Sequence, residues 1–419
     1  MRDLLVIALI FGTIPYVIKQ PYIGILLWSW ISYMNPHQLA WGWARTFPVA
    51  QIAAIATFIG ILASKEKLIW PRGPLLAWWL VFLLFLTLTT VFAVYPADAW
   101  EHWQKVAKIQ LVALLTVPLM ATRERLHKLV WVIALSLAFF GAKGGLYVLR
   151  TGGGSGLVWG PPGGFISGNN ELALALVMTL PLLFFLRRWA SRVWVQRVML
   201  VVIGLTVISI LGSFSRGALL GTLASMAFLA WKSGRKLPVI AAALAGLLVA
   251  FFVLPQTWWS RMNTIESYEQ DTSATQRLDA WRLGFNVANA RPLGCGFDCY
   301  TEEMYLKYQP NFLKPQDSHS IYFEVLGEHG WLGLFLFLGL FVVAWLQANR
   351  TIASANFRSE LQWECDLLRM VQVSVIGYAV GGAFLGLAYF DLPYHLVAIV
   401  IIVGGIVART LAASPTSKA

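Results

Sequence analysis

Thirteen apolar stretches, each bounded by polar or Pro/Gly-rich residues, limit what this chain can become more than any other feature. They cover residues 4–18, 21–34, 48–63, 73–94, 104–121, 126–149, 171–187, 196–212, 216–231, 237–254, 331–347, 370–389 and 393–411. A helix that crosses a bilayer needs roughly 20 apolar residues. Every backbone group in lipid must be paired within its own segment, so the α-helix is the spanning form. Of the 419 residues, 58% are hydrophobic and 12% charged, against about 25% charged in soluble domains. The fold class is therefore an all-α polytopic membrane protein. Lys19 and Gln20 interrupt the first two stretches, each short for a span. They are expected to make one crossing, for about 12 transmembrane helices in all. Two crossings would give 13 and put the N-terminus outside.

The net charge of +12 would suggest a nucleic-acid partner in a soluble chain. Here the cations gather in connections between apolar stretches, and no nucleic acid is expected. SKEKLIWPR, TRERLHK, RRWASRVWVQR, WKSGRK and the region 350–369 are basic. They alternate with VYPADAWEHW, RTGGGSGLVWGPPGGFISGNN, GSFSR, the long stretch 255–330, and YFDLP. The basic set belongs on the cytoplasmic side, and the other set faces outward, which in a bacterium is the periplasm. The N-terminus lacks a small-residue cleavage site and reads as mature structure rather than a signal peptide. Cys295 and Cys299 share one polar loop, where a disulfide is open to them if that loop is periplasmic. No CxxC pair is present.

Three units follow: an N-terminal bundle over 1–254, an outer loop over 255–330, and C-terminal spans over 331–419. The loop has six Lys/Arg against ten Asp/Glu. Within it, QRLDAWRLGFNVANA reads as an amphipathic helix with Leu278, Trp281, Phe285 and Ala288 on one face. Each cation on the outward side is then informative. Arg216, in LGSFSRGALLG, sits between two apolar stretches. It is either an anion clamp or an arginine satisfied by headgroups and helix-end carbonyls. Arg277 and Arg282 lie five apart on the predicted helix, a poor same-face spacing. His319, in DSHSIYFEVLGEHG, is either a general base or a structural histidine paired to a carbonyl. Ser318 or Ser320 is placed to cap the helix that follows. Glu324, Glu328 and His329 lie deeper, and His329 reads as structural. Asn169, Asn170 and Glu171 open another span, either capping it or lining a polar cavity. No HExxH, P-loop or GxSxG is present, and no paired Asp cluster suggests a catalytic metal.

SRGALLG, then RLDAWRLG followed by RPLGCGFDCY, then SHSIYFEVLGEHGWLG resemble successive signatures of the O-antigen ligase and polymerase superfamily. The likeness covers about residues 200–345, in the family's order. SWISYMNPH, KGGLYVL and WGPPGGFISGNNELALALVMTLPLL resemble the bacterial subgroup of O-glycosylation ligases. The resemblance implies a metal-independent, all-helical GT-C-type glycosyltransferase with no cofactor. It implies a glycan on undecaprenyl diphosphate as donor, at the periplasmic face of the inner membrane. Arg216 matches the span-entry arginine, Arg277 the loop-helix arginine, and His319 the histidine before the final Gly-x-x-Gly. Ser320 stands where many members have Asn. Arg282, Arg150 and Asn170 enter as substrate-binding candidates on charge and position alone.

The expected activity is ligation of the glycan to lipid A–core oligosaccharide, inverting, with arginines on the diphosphate and His319 as base. Protein O-oligosaccharyltransfer from the same donor is the alternative, followed by glycan polymerisation. A flippase for the lipid-linked sugar is the non-enzymatic alternative.

Overall fold

The protein is described here from a computed structural model. It describes residues 2–64, 66, 68–153, 156–233, 241, 246, 248, 251–252, 255–256, 258–259 and 272–413. Most of the stretch expected to span at 237–254, and most of the loop before residue 272, lie outside the described residues.

The described chain is helical, with no β-strand. In order, its helices are α1 (Arg2–Lys19), α2 (Tyr22–Met34), α3 (Val49–Ala63), α4 (Pro74–Val91), α5 (Pro96–Leu119), α6 (Arg123–Thr151) and α7 (Asn169–Trp189). There follow α8 (Val193–Leu211), α9 (Arg216–Ser233), α10 (Thr272–Ala290), α11 (Glu302–Tyr308), α12 (Ile321–Ala355), α13 (Gln362–Gly382) and α14 (Asp391–Ala413). Six of them are long and apolar enough to cross a membrane: α4, α6, α7, α8, α12 and α14. α2 and α3 are apolar but shorter. That is fewer than the dozen expected from the apolar stretches; the remaining described helices are shorter or more polar.

Composition sorts these helices between core and lipid. α7 is apolar round most of its circumference, and every residue from Leu172 to Leu183 is buried. The first half of α14, from Asp391 to Val403, is buried in the same way. α8 is also apolar, but few of its residues are buried, as suits a helix on the outside of a membrane bundle.

The first two helices correct the sequence reading. Asp3 Oδ1 accepts hydrogen bonds from the N–H of Gly42 and Ala44, at 3.0 and 3.2 Å. Laid end to end, α1 and α2 would be about 45 Å long at 1.5 Å per residue. The eight residues from Met34 to Gly42 reach at most about 28 Å. The two helices therefore fold back on one another instead of making one crossing. Pro21 marks the turn, since a proline ends the helix before it.

Two opposite ends of the bundle differ in charge. At one end Arg125 pairs with Glu66, and Arg123 with Glu364 at 3.7 Å. Asp366 lies 3.2 Å from Arg188 and 3.1 Å from Arg369, and Arg409 donates to Ala121 O at 2.6 Å. Connections 64–73, 120–123, 187–193 and 350–369 thus share one basic face. At the other end, Val94 N donates to Cys295 O, Asn35 Nδ2 to Pro162 O, and Asn169 Nδ2 to Ser213 O. The connections expected to face outward meet there.

The outer loop carries a small core of its own: Ala280, Leu283, Val287, Cys295, Cys299, Met304 and Tyr305. Cys295 and Cys299 are joined by a disulfide, and Cys365 is free and buried. The face expected on α10 holds in part, since Ala288 is buried and Trp281 half-buried. Leu278 and Phe285 are exposed, while Ala280, Leu283 and Val287 point inward. The bridged turn and α11 cover that smaller aliphatic side. Phe285 instead packs edge-on against Trp331 of α12, at 5.8 Å.

α12 begins ten residues before the apolar run expected at 331. Its first turns are polar, yet their groups find partners inside the protein. Glu328 accepts from Asp298 N at 3.0 Å and from Tyr389 OH at 2.6 Å, and Glu324 accepts from Ala388 N at 3.2 Å. The helix breaks at Gly330, where φ is 68°. Pro292 O lies against the position a Cβ would take there, so only glycine suits both the backbone and the contact.

Candidate functional site

Arg216 is placed by three consecutive local choices. Phe214 is left-handed, with φ 59°, and turns the chain sharply after α8. Ser215 caps α9 by accepting from Ala218 N at 3.3 Å. Arg216 then occupies the first helical position and is half-buried. A cation at a helix N-terminus runs against the helix dipole, and the two together make an electropositive spot.

Small residues bring this turn against α13. A Cβ on Gly217 would meet Phe384 Cβ at 3.1 Å and Gly381 O at 3.3 Å. On Gly221 it would meet Gly377 O at 2.8 Å. The same end of α13 receives α12, because Ile321 packs where a Cβ of Gly382 would stand. Arg216 and His319, 103 positions apart in sequence, therefore flank one helix end.

His319 is held in the left-handed region, with φ 44°. For a histidine this is a strained choice that the surroundings must impose. Ser318 Oγ accepts from Ser320 N at 3.4 Å and donates to Ser320 O at 3.2 Å, clamping the turn. Neither serine side chain caps α12, a correction to the expectation. The tight turn has taken up Ser318 Oγ instead.

α10 completes the group. Trp281 Nε1 donates to Ser318 O at 2.9 Å. Its ring stacks on Phe323 at 5.0 Å and meets Phe384 at 6.3 Å. Phe384 thus touches both the α9 turn and the α10 tryptophan. Arg277 lies one helical turn before Trp281, on the same side of α10. Burial pulls the His319 imidazole below its ordinary basicity, and the charge of Arg277 lowers it further. The carboxylates of Asp317 and Glu171 oppose this in part. Neutral imidazole is the form that accepts a proton.

The start of α7 borders the same place. Asn169 Nδ2 donates to Ser213 O at 2.7 Å, tying α7 to the turn before Arg216. Glu171 folds back over Gly168. The capping expected of Asn169 and Asn170 is not what they do; Gly168 is the cap residue, with no side-chain bond. Asn170, half-buried, lies beside the cluster without sharing the Ser213 bond.

The remaining candidates stand apart. Arg282 is exposed and pairs with Asp279 on its own helix at 3.7 Å. Arg150 is exposed at the end of α6, and no hydrogen bond or ion pair joins it to the cluster among the described residues. His329 is buried and bonded through Nδ1 to Thr89 Oγ1 at 2.7 Å, as a structural histidine should be. Of the group's two supporting aromatics, one had a sequence signal and one did not. Trp281 was visible in the Arg-x-x-x-Trp spacing. Phe384 is one aromatic among many in an apolar run and had none.

Residues 201–338 match the O-antigen ligase family, and residues 1–191 match a family of unknown function (DUF5935). The chain thus carries an O-antigen ligase domain over residues 201–338. No curated protein matches it. Arg216, Arg277 and His319 all fall within the ligase-family residues; Phe384 and the end of α13, on which the cluster is assembled, lie beyond them. The N-terminal half supplies Asn169 and Glu171 from the other matched region.

Such a cluster suits two tasks at once. A guanidinium at a helix N-terminus, with a second on the neighbouring helix, attracts a phosphate-bearing anion. A half-buried imidazole beside them, in its neutral form, can receive a proton.

Proposed function

We propose that the chain is a glycosyltransferase of the O-antigen ligase type. It moves a glycan from undecaprenyl diphosphate to lipid A–core oligosaccharide, at the periplasmic face of a bacterial inner membrane. The basic face of the bundle supports the orientation, since short basic connections stay in the cytoplasm. The membership of residues 201–338 supports the reaction class.

In the proposed step, an acceptor hydroxyl oxygen attacks C1 of the first sugar. The bond from C1 to the phosphate oxygen breaks, and undecaprenyl diphosphate leaves with that electron pair. Arg216 and Arg277 bind the diphosphate and stabilise the negative charge that grows on it. His319 takes the proton from the attacking hydroxyl. One displacement of this kind inverts the anomeric centre. Arg282, Arg150 and Asn170 are left for glycan or acceptor contacts farther out.

The observation that carries this reading is the bond from Trp281 Nε1 to Ser318 O. It fixes the helix bearing Arg277 against the turn bearing His319, beside the α9 entry that bears Arg216.

The test uses purified full-length protein, a lipid-diphosphate glycan and separate acceptors, in EDTA. Product on lipid A–core supports the reading. Product only on Ser, Thr or Tyr of a protein acceptor moves the assignment to O-oligosaccharyltransfer, and elongation of the donor glycan moves it to polymerisation. Translocation of the donor with no transfer to any acceptor contradicts an enzyme altogether.

A further inference from the structure

On the basic face, far from the cluster just described, α4, α12 and α14 surround a cavity of 580 Å³. Arg72, Arg350 and Arg409 line it, each from a different one of the three chain segments. Gln347 and Thr351 add neutral polar groups. Among the described residues no carboxylate lines it. Its other walls are apolar, and Leu346 is exposed on the lipid-facing side of α12. The N-terminus of α4, which opens at Gly73 without a side-chain cap or an acidic first turn, also faces this cavity.

A second cavity on the same face, of 900 Å³, makes the contrast plain. It holds Arg187, Arg188, Lys232 and Arg369, but Asp366 sits among them. That carboxylate lies 3.2 Å from Arg188 and 3.1 Å from Arg369, so much of the positive charge is matched from within. The cavity at Arg72, Arg350 and Arg409 has no such internal anion.

We infer that this cavity binds the phosphodiester headgroup of an anionic phospholipid from the leaflet on the basic side. Three guanidinium groups supply charge and hydrogen bonds to phosphate oxygens. The apolar wall at Leu76, Val343 and Leu346 takes the upper acyl chains, which a soluble phosphate would leave bare. Basic pockets between membrane helices recognise anionic headgroups in this way. The inference does not depend on the glycan-transfer reading.

Native mass spectrometry of the full chain tests it, with phosphatidylglycerol and phosphatidylcholine offered in competition. The wild type should retain phosphatidylglycerol in preference. Arg72→Gln with Arg350→Gln should weaken that retention by about twenty-five-fold, at roughly a factor of five per arginine. Arg350→Gln alone should lose about fivefold; it serves as the second variant if the double one unfolds. Arg192→Gln with Arg197→Gln removes the same charge from exposed positions outside the cavity and should change retention little. A large excess of inorganic phosphate should not displace the lipid. Equal retention of the two lipids, equal loss in both double variants, or displacement by phosphate would each overturn the inference.

Discussion

His319 carries the most specific consequences. Partial burial and the charge of Arg277 both pull its imidazole toward the neutral form. His319→Ala should abolish transfer while the donor still binds, as measured by turnover and by a separate donor-binding assay. Near-normal turnover would remove the base. The charges around it predict opposite pH effects. Transfer should fall on the acid side as His319 becomes protonated. Arg277→Gln removes a positive neighbour, raises the imidazole pKa, and should move that acid limb to higher pH. Glu171→Gln removes a carboxylate that favours protonation and should move it lower. Limbs that do not move, or that move together, would separate His319 from the rate. Arg216→Ala and Arg277→Ala should each weaken donor binding by about 1.5–3 kcal/mol, the size of a charged hydrogen bond.

At the scale of elements, the site depends on how closely α9, α12 and α13 approach. Gly221→Ala would push a methyl group against Gly377 O and should cost about 1–3 kcal/mol. A lower unfolding temperature and reduced donor binding should appear together. Gly204→Ala, in the open on α8, should leave stability unchanged or raise it by about 0.5–1 kcal/mol, the helix preference of alanine. Trp281→Phe keeps the stack on Phe323 but loses the bond to Ser318 O. It should lower kcat more than it raises KM, at about 1 kcal/mol. These contacts also show what could be read from the chain alone. Apolar length located most helices; Arg216 stands out as a cation between two apolar stretches, and His319 as a histidine in the polar run that enters a span. The buried face of α10 was only partly readable, because the bridged turn and α11 decide which side is covered. The serine turn at His319 escaped for a related reason: a side-chain hydroxyl has several backbone partners within reach, and the fold chooses among them. The α1–α2 hairpin is fixed by Asp3 reaching a loop about forty residues away, which no local pattern carries.

For the whole molecule, the division into a basic face and an acidic, disulfide-bearing face underlies the proposed orientation. The basic connections should lie in the cytoplasm. A cysteine replacing Glu302 should react with a membrane-impermeant maleimide in intact cells, and one replacing Arg192 only after lysis. Both positions are exposed, and the native thiol at Cys365 is buried. The reverse pattern would invert the topology and move the proposed site to the wrong compartment. The most direct test of the whole account is to photo-crosslink an undecaprenyl diphosphate probe bearing its reactive group beside the diphosphate. Adducts mapped by mass spectrometry should fall within residues 213–217, 277–281 and 317–321, and should fade when Arg216 and Arg277 are both replaced by Ala. Adducts confined to other parts of the chain, undiminished in that variant, would contradict a shared binding place for the three side chains.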